Sequence, residues 1–264
     1  MGQPAASPGR PRRDGQRDLP TRRGVGGAAR TPEGTDAVRR QGVRLAAEAG
    51  AASPAGDPRS GRPGPSDRRV PWFWDIFTWV EGAPTPIEDI DPTFAARDLA
   101  LFVAALQRVD PSGAPTGRGI PLPERDEEIR YWLARFDGDP AVVGGWDRAL
   151  AAPAWEGPPV WHHGDLDVRN WLVRDGRICA VIDWEAMGVG DPACDVMVAW
   201  KLHSGEARDA FREALPTDDA TWERARGWAL SQAVAALAYY TPENNPTLYR
   251  EAEAWIELVL SERG

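Results

Sequence analysis

The residues with chemistry in this chain are concentrated in His163-Gly164-Asp165-Leu166-Asp167-Val168-Arg169-Asn170 and, shortly after, Ile182-Asp183-Trp184-Glu185. Two acids and an amide at these intervals suit metal-assisted phosphoryl transfer. Asp165 can accept the proton of a substrate hydroxyl. Asn170 and Asp183 offer hard oxygens of the kind that hold magnesium carried in with substrate phosphates.

The element that must position them is a hairpin. Asp175-Gly176 separates two apolar runs, 170–174 and 177–182, and an Asp-Gly pair between strand-like runs signals a two-residue turn. Pairing Arg174 with Arg177 and counting outward sets Asn170 opposite Val181. Asp183 then points to the same face as Asn170, a diagonal neighbour roughly 7–8 Å away. Asp165 falls in the loop entering the first strand.

This arrangement resembles the aminoglycoside phosphotransferase family, whose loop has the form H-G-D-x-x-x-x-N and whose following strand ends in I-D-[FW]. Gly190-Asp191-Pro192-Ala193-Cys194-Asp195 matches the family's G-D-P-x-x-D, and Phe77-Thr78-Trp79-Val80-Glu81-Gly82 resembles the strand and hinge joining its two lobes. The resemblance covers roughly residues 70–264. It implies an α+β, protein-kinase-like fold, mostly the helical C-terminal lobe with its catalytic β-hairpin. It also implies an ATP- (or GTP-) and Mg2+-dependent enzyme that phosphorylates a hydroxyl of a small molecule, aminoglycoside-like or another alcohol. By the resemblance Asp165 is the catalytic base and His163 braces its loop. Asn170 and Asp183 bind the metal, Trp79 and Glu81 are the cofactor-binding residues of the hinge, and Asp195 helps fix the loop. The family commonly has His-Pro-Gly where this chain has Asp167-Val168-Arg169, a departure that bears on loop shape and substrate fit.

Composition divides the chain. Residues 1–70 hold 14 Arg and 7 acids, leaving 17 Lys or Arg and 33 acids for the rest. Every Trp, Tyr, Phe, Ile and Cys lies after residue 70, so the leader has little to bury against the entropy of ordering itself. We expect a disordered or non-native leader over 1–70, a remnant strand and hinge over 71–82, and a kinase-like larger lobe over 83–264, with the N-terminal lobe largely missing. The leader has the Ala/Gly/Pro/Arg bias of high-GC DNA read out of frame. With permitted codons, residues 45–62 shifted by one base can read W-L-P-R-L-A-P-H-L-P-L-A-I-P-V-A-V-G, a string similar to the family's smaller lobe. Lys201, the only lysine, lies well after the motif, and no G-x-x-x-x-G-K-[ST] loop substitutes for a phosphate-anchoring lobe. The alternative function is therefore a catalytically dead fragment of such an enzyme. A metal-dependent hydrolase is weaker, because two-metal sites bring more His and Asp ligands and this chain has 3 His.

The acidic body argues against non-specific nucleic-acid binding and is compatible with polycationic substrates. No apolar run is long enough to span a bilayer, and no signal-peptide core opens the chain. The expectation is a cytoplasmic protein with two buried free thiols, Cys179 and Cys194, no membrane or nucleic-acid partner, and an oligomeric state that the sequence leaves open. Helices are expected from Asp91-Pro92 with a stripe of Ala95, Leu99, Phe102, Val103 and Leu106, around Ile129, Trp132, Leu133 and Phe136, from Asp191-Pro192, over 207–215, over about 219–240, and through Leu248, Ala252, Trp255, Ile256 and Val259. Asp167 and Glu185 are expected to be solvated acids, His162 a structural residue rather than a zinc ligand, and Asp191 a helix cap.

Overall fold

A computed structural model describes residues 79–135 and 138–261. The leader, the start of the hinge at Phe77 and Phe136 lie outside the described residues, and so does the expectation about the reading frame. The described chain is helix-rich with two short antiparallel ribbons. Helix α1 is Pro92–Leu106, α2 Asp126–Arg135 and α3 Pro140–Ala151. Strands β1 Val160–His162, β2 Trp171–Arg174, β3 Arg177–Val181 and β4 Gly188–Gly190 follow. Helices α4 Ala193–Val196, α5 Gly205–Ala214, α6 Asp219–Tyr239 and α7 Pro246–Ser261 complete it.

Aspartates start several of these helices. Asp91 accepts from Thr93 N and Phe94 N, and Pro92 occupies the first position of α1. The expected stripe of α1 is buried throughout, and the helix packs on α5. Asp139-Pro140 opens α3 in the same way. That helix is missing from the sequence reading because Gly144-Gly145 lower its propensity. Packing overrides this: a Cβ at Gly145 would lie 3.4 Å from Leu230 and 3.5 Å from Leu260.

Helix α6 is the central strut. It is buried along most of its length and contacts α3 and α7. Five tryptophans, Trp146, Trp161, Trp171, Trp200 and Trp228, are fully buried in the same core and supply much of the apolar area that holds it together. Arg224 of α6 is buried against Asp191, with Nε–Oδ2 at 2.7 Å and Nη2–Oδ1 at 3.1 Å. Asp191 also accepts from Ala193 N. It therefore caps α4, as expected, and ties the end of β4 to α6.

The segment 163–170 lies between the two ribbons. Strand β1 pairs with β4, His162 opposite Gly188, so the loop leaves and the chain returns at one place. Asp175 and Gly176 take positive φ, 53° and 73°, as the Asp-Gly turn requires. The expected register holds only next to that turn. A bulge between Leu172 and Val173 places Leu172 opposite Ala180 and Trp171 opposite Val181. Asn170 therefore sits opposite Ile182, whose N–H donates to Asn170 O at 2.8 Å, and not opposite Val181. Cys179 is the extra residue. Its Sγ lies 3.3 Å from Leu172 O and 3.4 Å from Glu81 O, so the bulge faces the hinge segment. Ala83 and Val173 exchange backbone hydrogen bonds there, both 2.9 Å.

Candidate active site

Asp165 stands at the centre. Gly164 before it has φ +83°, and a Cβ there would meet Ala186 O at 2.4 Å, so the turn into Asp165 needs glycine. The buried carboxylate of Asp195 anchors that turn, accepting from His163 N at 2.6 Å and Gly164 N at 2.9 Å. Burial pushes its pKa up to about 6 against these two hydrogen bonds. The His163 ring is wholly buried, edge-on to Trp184 at 4.9 Å. Its Nδ1 accepts from Asp165 N at 3.3 Å, which leaves Nε2–H to donate to Ile182 O at 3.0 Å. Burial pushes this imidazole down to about 4, although the Ile182 carbonyl and the charges of Asp165 and Asp183 favour its protonated form. His163 thus braces the base loop against the residue preceding Asp183.

Asn170 closes a single 3-10 turn, Val168–Asn170, capped by Asp167. Its Nδ2 donates to Asp165 O at 2.9 Å and to Asp165 Oδ2 at 3.2 Å, which leaves Oδ1 as the atom that could ligate a cation. Asp183 has a left-handed backbone, φ 64° and ψ 67°. With the bulge, regular alternation would send Asp183 to the face opposite Asn170. The left-handed turn ends that alternation, at the cost such backbone carries in a non-glycine residue, about 1–3 kcal/mol. Asp183 is exposed, and two hard oxygen donors at one end of the hairpin fit a divalent cation.

Trp79 is 80 % exposed. The Glu81 side chain is also exposed, while its carbonyl takes up Cys179 and, at 3.5 Å, Arg174 Nη1. These two residues therefore sit on the hinge side of the hairpin, apart from the cavity that opens at Asp165.

The structure adds residues that the sequence reading misses. Arg118 Nη1 lies 2.9 Å from Asp165 Oδ1 and 3.2 Å from Gly164 O. Its segment is pressed on β4 through glycines: a Cβ at Gly117 would be 2.6 Å from Gly188 Cα, and one at Gly190 would be 2.1 Å from Gly119 O. Asp98 of α1 accepts from Arg177 Nε at 2.9 Å and Ile178 N at 3.1 Å, which fixes the hairpin to the helix. Asp167 is not a solvated acid. It is 4 % exposed and ion-paired with Lys201 Nζ at 3.3 Å and Arg169 Nη2 at 2.6 Å. Burial works to raise its pKa, and the two cations outweigh burial and hold it below the ordinary value. The chain's only lysine therefore serves the loop through Asp167, lying 4.7 Å from the Trp255 ring centroid.

His162, Cys194 and Asp195 place ligand-type atoms within 4.8 Å of one another. However, both Asp195 oxygens already accept backbone N–H groups, and His162 Nε2 accepts from Gly119 N at 3.0 Å. His162 acts as a structural residue.

The profile of the phosphotransferase enzyme family that includes the aminoglycoside phosphotransferases matches residues 43–228. The chain belongs to this family. The match begins inside the Arg-rich leader, ahead of the stretch over which the motifs resemble the family. No curated protein matches the chain. Solved structures share the fold. Macrolide 2'-phosphotransferase MphH from Brachybacterium faecium is 21 % identical, with 87 % of this chain and 82 % of that one aligned at a TM-score of 0.51. The GDP complex of aminoglycoside 2'-phosphotransferase-IIIa is 14 % identical, with 88 % and 84 % aligned at 0.59. A thermostable mutant of aminoglycoside phosphotransferase APH(4)-Ia, in a ternary complex with ADP and hygromycin B, is 18 % identical, with 84 % and 83 % aligned at 0.52. The fold is thus the kinase-like one. Among the described residues, no helix is long and apolar enough to cross a membrane.

Proposed function

We propose that this chain transfers the γ-phosphoryl group of ATP or GTP to a hydroxyl of a small molecule. The observation that carries the reading is the junction of four side chains: Asp165, held by Asn170 Nδ2 and Arg118, with His163 linking its loop to the backbone just before Asp183. The hydroxyl oxygen forms the new P–O bond, the bond to the leaving nucleoside diphosphate breaks, and the hydroxyl proton passes to Asp165. Asn170 Oδ1 and the Asp183 carboxylate are the residues that would hold magnesium, whose role when bound is to offset phosphate charge. His163 stays neutral near pH 7, since burial holds it near 4; it orients the base loop and carries no proton. The hinge at Trp79–Glu81 takes the nucleotide base, consistent with its seat on the far side of the hairpin and with the nucleotides in the similar structures.

The composition of residues 1–70 favours a second reading, a non-catalytic larger lobe that lacks a phosphate-anchoring partner. Titration with magnesium-ATP and magnesium-GTP, followed by transfer of labelled γ-phosphate to a panel of hydroxyl compounds, separates the two. Transfer that falls by at least about 10² in Asp165→Asn with nucleotide affinity kept supports the enzyme. Absence of nucleotide binding supports the second reading. In that case a version with the alternative frame across the leader should bind magnesium-ATP.

A further inference from the structure

A cavity of about 670 Å³ opens at Asp165 and Asn170 and runs to Tyr240, Leu248 and Trp255. That size suits a drug-sized ligand. Four cations line it, Arg118, Arg125, Arg169 and Lys201, against two acids, Asp165 and Asp167. Both acids are already engaged, Asp165 by Arg118 and Asp167 by Lys201 and Arg169. Arg169 also reaches Glu251 outside the cavity.

Arg125 is left over. Its side chain is 14 % exposed and its guanidinium lies 4.8 Å from the Trp228 ring centroid. The acid paired with it, Glu128, is 57 % exposed and 3.9 Å away, beyond hydrogen-bond reach. Among the described residues its one hydrogen bond goes to a neutral oxygen, Ser231 Oγ at 2.9 Å. Burial lowers its pKa below the ordinary value against the opposing charge of Glu128, and nearby Arg118 adds to the lowering.

Two further donors share this wall. Trp228 Nε1 and Gln232 Nε2 are buried with no acceptor among the described residues. Trp228, Ser231 and Gln232 are three and four residues apart on one face of α6. A guanidinium, an indole N–H and an amide N–H with no anion to receive them leave unpaid a desolvation cost that a ligand oxygen would offset. This happens in a chain whose net charge is −9, so the local surplus of positive charge opposes the average.

We propose that this wall is an anion subsite and that the acceptor is a hydroxy acid, its carboxylate docked on Arg125, Trp228 and Gln232 and its hydroxyl presented to Asp165. The assignment rests on the phosphotransferase reading above. A planar carboxylate matches the guanidinium fork, and the half-buried Ile120, Ala236, Tyr240 and Leu248 of the cavity lining give an apolar or aromatic body surface to lie on. A polycationic acceptor would meet four cations and find both acids occupied, so the acidic average of the chain misreads its own cavity.

The test is calorimetric titration of the full chain, without nucleotide, with 3-phenyllactate, its primary amide and phenylalaninol. These carry an aromatic body and a hydroxyl with a negative, neutral or positive group. The acid should bind at least about tenfold more tightly than the amide, about 1.4 kcal/mol, and phenylalaninol should be weakest. Arg125→Gln should abolish the preference and Arg125→Lys should keep part of it. Trp228→Phe keeps a ring and removes the N–H; it should weaken the acid several-fold and leave the amide unchanged, which stands even if Arg125→Gln fails to fold. Equal binding of acid and amide, preference for the amine, a preference that survives both Arg125→Gln and Trp228→Phe, or no binding of the acid would overturn the proposal. Inorganic phosphate binding more tightly than the acid, dependent on Arg125, would assign the wall to a phosphoryl group and overturn the carboxylate. Magnesium-nucleotide titration of the same protein fails separately if the phosphotransferase reading is at fault.

Discussion

Gly227 and Gly144 should respond in opposite directions to the same substitution. A Cβ at Gly227, in the middle of α6, would lie 2.5 Å from Ala149 Cβ and 2.6 Å from Leu122 Cδ2. The leucine end can turn away, but Ala149 Cβ is fixed to α3 and can move only with the helix. Overpacking of this kind costs about 1–3 kcal/mol, and the helix propensity of Ala returns about 1 kcal/mol. Gly227→Ala should therefore lose up to about 2 kcal/mol, a fall in Tm of about 4–8 °C for a domain of this size. At Gly144, in α3, a new Cβ meets nothing nearer than Arg148 Nη1 at 3.8 Å. Gly144→Ala should gain up to about 1 kcal/mol. Urea and thermal unfolding of both variants beside the parent give the two signs. The clash also has a local consequence. Leu122 starts the short 3-10 turn, Leu122–Arg125, that seats Arg125 over Trp228. Gly227→Ala should therefore disturb tryptophan emission as well as stability. A Gly227→Ala protein more stable than the parent, by a gain like that of Gly144→Ala, would refute the reasoning, since it would mean that α3 and α6 are not held at the distance that excludes a methyl group.

Asp183→Ala should abolish magnesium-dependent nucleotide binding; unchanged affinity by calorimetry would remove Asp183 from the metal site. Asp98→Ala leaves Ile178 N without its buried acceptor and frees Arg177, and should cost about 1–3 kcal/mol in urea unfolding; a change below the error of the fit would show that the hairpin does not depend on α1. Stability should fall below neutral pH. Burial holds His162 and His163 down from 6.5 to about 4 in the fold, so their contribution is complete above the unfolded value and is lost as pH falls through 6.5 toward 4. Asp195, raised from 3.8 to about 6, acts in the opposite sense, its contribution being present at low pH and lost as pH rises through 6. Two histidines against one carboxylate leave a net loss of about 4 kcal/mol between pH 6.5 and 4. A flat profile by urea midpoint over that interval would contradict the burial of the pair.

Local signals are where the sequence reads well. Asp91-Pro92 and Asp191-Pro192 mark helix starts because a carboxylate cap and a fixed φ act within a few residues. Asp175-Gly176 marks the hairpin for the same reason. The register beyond it is less legible: counting outward assumes an unbroken ladder, and the bulge at Cys179 depends on the hinge segment that packs there. Asp167 reads as solvated because its partner Lys201 is far along the chain. Arg118 reaches Asp165 from 47 residues away, and the flanking Gly117 and Gly119 were its one trace, a Gly-Arg-Gly that marks close backbone approach. Arg125, Trp228 and Gln232 come from two separate elements, and no spacing rule connects them.

The bulged cysteine gives the protein a built-in gauge of how often the segment at Glu81 lifts from the hairpin. Cys179 is 7 % exposed, with its sulfur wedged between the hairpin and the Glu81 carbonyl. Burial raises its thiol pKa, and the other thiol, Cys194, is fully buried and raised further. Alkylation requires an exposed thiolate, so Cys179 can react only when the hinge segment lifts from the hairpin. Its labelling rate then counts those openings. A ligand that clamps the hinge should slow that rate, whereas one confined to the cavity at Arg125 should leave it almost unchanged.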